Sequence, residues 1–299
     1  MQTAFPRFVD TEFLRLAYLE DGPPGGWPVV LVHGFPYDVH AYDAVTARLV
    51  AQGSRVIRPY VRGFGPTRFL SDDTPRSGQQ AARAVDLIQL TRALRLERPV
   101  IGGFDWGGNA ACAAAVLWPE ELGGLVSYAG YDVIDSAAQR LSPGPSLEHV
   151  CWYQHLFQTA RGEHCLAEHR AELCRMLWRQ WSPHWSFDDA TYARSAASFE
   201  NPDFVRVVIH AYRFMFGRAD GDPRFDALEA TLAGSPPIAV PTVTIDGTAD
   251  PLKPGGTAHH ARWFSGRHEH RVVEAGHNVP QERPEVFAEA VEAVQAWRA

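Results

Sequence analysis

The sequence predicts an α/β protein, a mostly parallel sheet wrapped by helices with an all-helical stretch set into it. Three observations carry this. Short apolar runs alternate with helical periodicities through the first part of the 299 residues, and strands that alternate with helices build a parallel sheet. From about residue 132 to 236 the strand runs stop, and aromatic and helix-forming residues take over. The alternation then resumes to the end of the chain.

The elements follow in order. The first thirty residues read as a short strand pair, with a turn at Asp21-Gly22-Pro23-Pro24-Gly25-Gly26. Pro28-Val29-Val30-Leu31-Val32 is an apolar run with no polar alternation, which suits a strand buried on both faces. Residues 54–60 are a further strand. Ala81, Ala84, Val85 and Ile88 fall at i, i+3, i+4 and i+7, so 79–95 is a helix. A strand over 98–104, a helix of small residues over 107–117 and a strand over 122–130 complete the first half. The insert holds Trp152, Tyr153, Phe157, Trp178, Trp181, Trp185, Phe199, Tyr212, Phe214 and Phe216. Strands over 238–247 and 268–276 and a closing helix over 282–298 form the second half. The expected division is a core of 1–131 and 237–299 and a helical cap of 132–236.

Composition excludes several classes. The hydrophobic share is 45% and the charged share 21%, ordinary for a globular protein. A net charge of −7 gives no basic footprint for nucleic acid or anionic membrane. No run of apolar residues is long enough to span a bilayer. The first residues lack the basic and apolar regions of a signal peptide. Cys112, Cys151, Cys165 and Cys174 match no zinc or redox spacing, so reduced thiols and a cytoplasmic location are expected, without a Cys165–Cys174 disulfide.

The chemistry centres on Gly102-Gly103-Phe104-Asp105-Trp106-Gly107-Gly108, between a strand and a helix. Small-x-Asp-x-small in that setting has the form of a nucleophile elbow, with aspartate where the G-x-S-x-G form has serine. The turn would lift Asp105 to the C-terminal edge of the sheet and leave the Trp106 N–H free to meet negative charge. A plain helix cap is the alternative reading of Asp105. His33-Gly34-Phe35-Pro36 follows the strand at 28–32 and can aim the Phe35 N–H at the same place. Asp250 follows one late strand and His277 the next, which gives the order Asp, Asp, His. Asp246 and Asp132 are alternative acids.

Together these motifs resemble the α/β-hydrolases, in the branch of epoxide hydrolases and haloalkane dehalogenases with an Asp nucleophile, and are most similar to soluble epoxide hydrolases. A carboxylate that attacks saturated carbon gives an ester that water can cleave. The resemblance implies that Asp105 attacks, that His277 with Asp250 activates water, and that the N–H groups of Phe35 and Trp106 hold the oxyanion. Tyr153-Gln154 and Tyr212-Arg213 are similar to the two lid-tyrosine motifs that assist ring opening, although aromatics of a lid core would look alike. His33, Gly34, Pro36, Trp152, Gln154 and Phe157 are the expected pocket residues. Haloalkane dehalogenases commonly carry Asn where this chain has Phe35. Fluoroacetate-type enzymes carry arginines where it has Trp106 and Asn109. Epoxide hydrolases often have His at the position of Phe104, whose side chain is expected to face the sheet. The loop 58–69 is assigned no role, its arginines pairing with surface acids.

The reading is therefore an epoxide hydrolase without metal or organic cofactor. Its substrate is small and apolar, with aryl groups among those the lid would accept. Nucleic acid and membrane are excluded as partners, and a homodimer is left open. A dehalogenase with the same Asp nucleophile, and a non-catalytic binding protein of this fold, are the alternatives.

Overall fold

A computed structural model describes residues 5–135 and 138–298. Its strands are β1 (Arg7–Asp10), β2 (Leu14–Asp21), β3 (Trp27–Val32), β4 (Ser54–Pro59), β5 (Arg68–Phe69), β6 (Val100–Gly103), β7 (Gly124–Tyr128), β8 (Thr242–Gly247) and β9 (His268–Val273). They form one sheet in the order β1-β2-β4-β3-β6-β7-β8-β9, with β5 beside β2. β1, β2 and β5 pair antiparallel, and β2 joins β4 antiparallel. From β4 to β9 every pairing is parallel.

The helices are α1 (Asp43–Ala51), α2 (Gln80–Ala93), α3 (Trp106–Leu117), α4 (Pro145–Val150), α5 (Trp152–Leu156), α6 (Ala160–Trp181), α7 (Asp189–Ala196), α8 (Phe204–Met215), α9 (Asp226–Ala233), α10 (Val279–Glu282) and α11 (Pro284–Ala296). Side chains alternate across a strand, and β3 shows this directly. Val29 and Leu31 enter the core that holds Val45 of α1 and Phe287 of α11, whereas Val30 and Val32 enter the core under α2 and α3. All four are buried, which explains why the run lacks polar alternation.

Between β7 and β8 the described residues hold helices and connections but no strand. One detail differs from the sequence reading. Pro241 has no N–H to give to a ladder. The expected strand from 238 accordingly opens only at Thr242, and Ile238 keeps a lone bridge to Phe264. α9, at the end of the helical stretch, packs on α2 and α3; Leu232 lies in their core. Periodicity marks a helix but not the neighbour it packs on. Among the described residues, no helix is long and apolar enough to cross a membrane.

The loop 58–69 also corrects an expectation. Arg62 is buried and pairs through two nitrogens with buried Asp86 on α2, at 2.6 and 2.7 Å. Arg58, also buried, bridges Asp21 and Asp43. Arg62 thus holds the interior and Arg58 joins it to two partly exposed acids, whereas Arg68 is exposed and donates to the Gly65 and Thr67 carbonyls.

Candidate active site

The sheet edge formed by the C-terminal ends of β3, β6, β7, β8 and β9 collects the polar residues. Asp105 stands between β6 and α3 with φ 54° and ψ −132°. Non-glycine residues avoid positive φ, and such strain costs about 1–3 kcal/mol, persisting where the surroundings enforce it. The turn is enforced by crowding: a Cβ on Gly107 would lie 1.9 Å from the Val32 carbonyl oxygen.

An ordinary N-cap is extended and accepts from the second or third helical N–H. Asp105 does neither. Its Oδ1 accepts from the N–H of Trp106, the first helical residue, at 2.6 Å, and from the distant Phe35 N–H at 2.7 Å. Its Oδ2 faces His277 Nε2 at 3.4 Å. One oxygen is thus seated between two backbone donors at a helix N-terminus, and the other is left for chemistry.

Gly34 makes the first of these contacts geometrically feasible. A Cβ there would lie 2.3 Å from Asp105 Oδ1 and 2.5 Å from the Trp106 nitrogen. Gly34→Ala therefore displaces the carboxylate. A misplacement of about 1 Å can cost 10²-fold in rate, so kcat/KM is expected to fall by about 10²-fold with the circular dichroism spectrum unchanged. Undiminished kcat/KM would contradict the placement of Asp105.

His277 lies in the loop between β9 and α10, 3% exposed. Its backbone N–H donates to the Trp181 carbonyl at the end of α6, which ties the loop to the helical segment. Its Nδ1 is 2.9 Å from Asp250 Oδ2. Asp250 is buried in the turn after β8; the Leu252 N–H donates to its Oδ1 and the Tyr128 hydroxyl to its Oδ2, at 2.9 and 2.8 Å. Burial alone would lower the His277 pKa. The charge of Asp250 and the hydrogen bonds to Asp105 and Asp250 outweigh it and push the imidazole up to about 10. Burial would raise Asp250, but the His277 charge and the hydrogen bonds hold it below the usual carboxylate range.

The alternative acids are engaged elsewhere. Asp246 accepts from the Thr257 hydroxyl at 2.6 Å and contacts His270 Nε2 at 2.8 Å. Asp132 pairs with Lys253 at 3.4 Å.

Above Asp105 opens a cavity of about 1010 Å³, lined by Asp105, Trp106, Tyr153, Gln154, Tyr212 and His277 among others. That is the upper end of the range for small-molecule sites. Tyr153 on α5 and Tyr212 on α8 pack edge to face, ring centroids 5.4 Å apart. Burial, reinforced by neighbouring groups that include Asp105, keeps both phenols well above their ordinary pKa, so they are neutral donors. The Gln154 amide donates to the Tyr153 hydroxyl at 2.9 Å.

Of the six expected pocket residues, Gln154 lines the cavity and the others stand behind it. His33 is fully buried, Nδ1 3.1 Å from the Gly34 carbonyl and Nε2 accepting from the Val61 N–H. Burial lowers its pKa, so it braces the loop as a neutral ring. Gly34 packs on Asp105 from below. Pro36 gives its carbonyl to the Trp178 indole, and the Trp152 indole donates to Gln180. Phe157 is fully buried behind Phe35, Tyr153 and Tyr212. These residues are adjacent to site residues in sequence but stand off the cavity wall, His33, Pro36 and Phe157 buried and Trp152 partly so. Phe104 does enter the core, yet its ring also packs on Tyr37 and His277, at centroid distances of 4.9 and 6.3 Å. It is part of the support under the imidazole.

Tyr128 escaped the sequence reading. Its hydroxyl is 2.8 Å from both Asp250 Oδ2 and the Gly276 carbonyl; its place at the end of β7 was the available signal. All four cysteines are free.

A carboxylate with one oxygen seated and one open, backed by a histidine–aspartate pair and facing two neutral phenols, is equipped for nucleophilic attack followed by hydrolysis.

Comparison with known proteins agrees with this architecture. A model of the alpha/beta hydrolase family matches residues 29–290. A candidate epoxide hydrolase of known structure from Klebsiella pneumoniae subsp. pneumoniae is 38% identical, with a TM-score of 0.95 over 97% of each chain. A haloalkane dehalogenase of Mycolicibacterium paratuberculosis is 33% identical over 45% of this chain and 43% of its own length. Epoxide hydrolase A of Mycobacterium tuberculosis is 34% identical over 39% of this chain and 34% of its own. The matches thus span less than half the length of these two curated relatives. The potato epoxide hydrolase, 19% identical with a TM-score of 0.79, shares the fold. The chain belongs to the alpha/beta hydrolase family.

Proposed function

We propose that this protein hydrolyses epoxides to vicinal diols through an ester on Asp105, with residues 132–236 acting as the lid. The observation that carries the proposal is the placement of two buried, neutral tyrosines, Tyr153 and Tyr212, on the cavity that also holds Asp105. An epoxide oxygen leaves as an alkoxide and needs such donors; a halide does not. The aromatic residues beside Asp105 on the cavity, Trp106, Tyr128, Tyr153 and Tyr212, suit an apolar group at the reacting end of the substrate.

In the proposed reaction, Asp105 Oδ2 attacks a ring carbon and the carbon–oxygen bond opens. The two phenols hydrogen-bond the departing oxygen. The ester carbonyl is then Oδ1, already held by the Phe35 and Trp106 N–H groups. Esterification removes the Asp105 charge, one of the features that keep the proton on His277. The proton His277 loses equals the one the alkoxide gains. Neutral His277 Nε2 next takes a proton from water, and the hydroxide attacks the Asp105 carbonyl carbon. Negative charge collects on Oδ1, and collapse releases the diol and restores the carboxylate.

Removing one preorganised donor costs about 10²–10³-fold. Tyr153→Phe and Tyr212→Phe are each expected to slow diol formation by about 10²-fold, and the double variant by at least about 10³-fold. This is measured on a panel of aryl and alkyl epoxides. Full diol production by the double variant would overturn the role of the phenols. The haloalkane dehalogenase relative keeps a second reading in view: free halide from haloalkanes, with no turnover of any epoxide, would establish it instead.

A further inference from the structure

Arg83 on α2 is a buried cation without a carboxylate of its own. The residue is 4% exposed. Its guanidinium donates to the Gly78 carbonyl at 2.7 Å and to Asn109 Oδ1 at 2.6 Å, and its Nε has no partner. Asp86, the one acid of α2, is taken by Arg62. Burial pushes the guanidinium down to about 10, so it stays charged at neutral pH. A buried charge without a paired counterion is expensive.

Both features it grips belong to the first turns of the elbow helix. Its Cζ lies 4.8 Å from the centre of the Trp106 ring, a cation–π stack. Asn109, which receives its hydrogen bond, has its own N–H on the Asp105 carbonyl at 2.9 Å and reaches the cavity wall. Asn109 Nδ2 in turn donates to Gln80 and to the Asp132 carbonyl, at 3.1 and 2.8 Å. The charged or titratable groups around the guanidinium include Asp105, Arg62, Asp86, Glu229, His210 and Tyr212. Glu229 is occupied by the Ala81 N–H, at 2.9 Å.

We infer that Arg83 is a positioning residue for Asp105: it clamps Trp106 and Asn109 at the elbow and sets a fixed positive charge behind the nucleophile. This rests on Asp105 being the nucleophile proposed above, but not on the leaving group being an epoxide oxygen. A positive charge near a carboxylate favours its ionised, reactive form, and a fixed one needs no reorganisation during the reaction.

The test measures the rate of Asp105 alkylation by intact mass in a His277→Gln background, against pH, with both epoxides and primary haloalkanes. Arg83→Gln, which keeps a donor but no charge, is expected to alkylate about 10-fold more slowly at pH 7. Arg83→Lys, which keeps the charge, should stay within about threefold of the parent. Arg83→Met is the second neutral variant should Arg83→Gln fail to fold. A neutral variant that matches the parent at every pH would overturn the inference. So would equal losses in the Gln and Lys variants, since that is the mark of a structural role alone. Adducts from haloalkanes only, with Arg83→Gln slowed and Arg83→Lys restored, would support Arg83 while refuting the epoxide reading. No adduct from either reagent in the parent would overturn both.

Discussion

Asp105→Ala is expected to lower epoxide turnover by at least about 10⁴-fold, because in the proposed reaction it deletes the atom that forms the bond. Removing a covalent nucleophile that works with a base costs up to about 10⁶-fold in kcat elsewhere. The residue is also strained at φ 54°. Alanine inherits that strain and loses the two N–H contacts of Oδ1 at 2.6 and 2.7 Å. A modest loss of stability, about 1–2 kcal/mol, follows from giving up hydrogen bonds to a charged group. The variant is therefore to be checked by thermal denaturation beside the assay. Folded protein without turnover is the expected pair of results. Folded protein with more than a hundredth of the parent rate would show that Asp105 only caps α3.

His277→Gln is the second large effect, and it is selective. In the proposed reaction the imidazole acts as a base only after the ester has formed, and solvent can supply the proton the alkoxide needs, so steady-state turnover should fall by about 10²–10⁴-fold, the range for a general base. The first attack on the epoxide should persist. The same logic fixes a pH dependence in the parent. Ester hydrolysis needs neutral His277, so its rate rises with pH to a plateau. The ligand-free imidazole titrates at about 10, held there against burial by Asp250 and Asp105. In the ester the Asp105 charge is gone, so the limb of the hydrolysis step should fall below 10. Rapid-quench measurement of ester decay against pH checks this. A decay rate that falls as pH rises from 6 to 9 would contradict the base role.

The contacts of Tyr128 and Arg83 show why the sequence disclosed the reacting groups more readily than their supports. Asp105 and His277 sit in turns whose backbone demands leave local marks, glycines beside a lone polar residue at the end of an apolar run. β3, β6 and β8 could be read because a parallel strand buried on both faces is largely apolar, whereas β9 is polar and mostly unburied and was marked only by its last residues and the glycine turn after it. Tyr128 reaches Asp250 across 122 residues, and Arg83 reaches Asn109 across 26; no local pattern records either contact. Asp250 was readable as the acid from its place on the loop after β8, with Asp246 and Asp132 as alternatives because they lie along β8 and just beyond β7. Pairing with His277 settles which of them faces the imidazole. His33, Pro36, Trp152 and Phe157 neighbour cavity and elbow residues in sequence but stand off the cavity wall, because successive side chains in a strand or helix point different ways.

The most direct measurement of the central claim is the intact mass of the His277→Gln protein after mixing with an epoxide. The proposed mechanism predicts a gain equal to the whole epoxide, mapped by peptide fragmentation to Asp105 and absent from the Asp105→Ala, His277→Gln double variant. A folded protein that converts the epoxide to diol in the parent form, yet gives no adduct when His277 is replaced, would contradict an ester on Asp105 and point to direct attack of water on the ring.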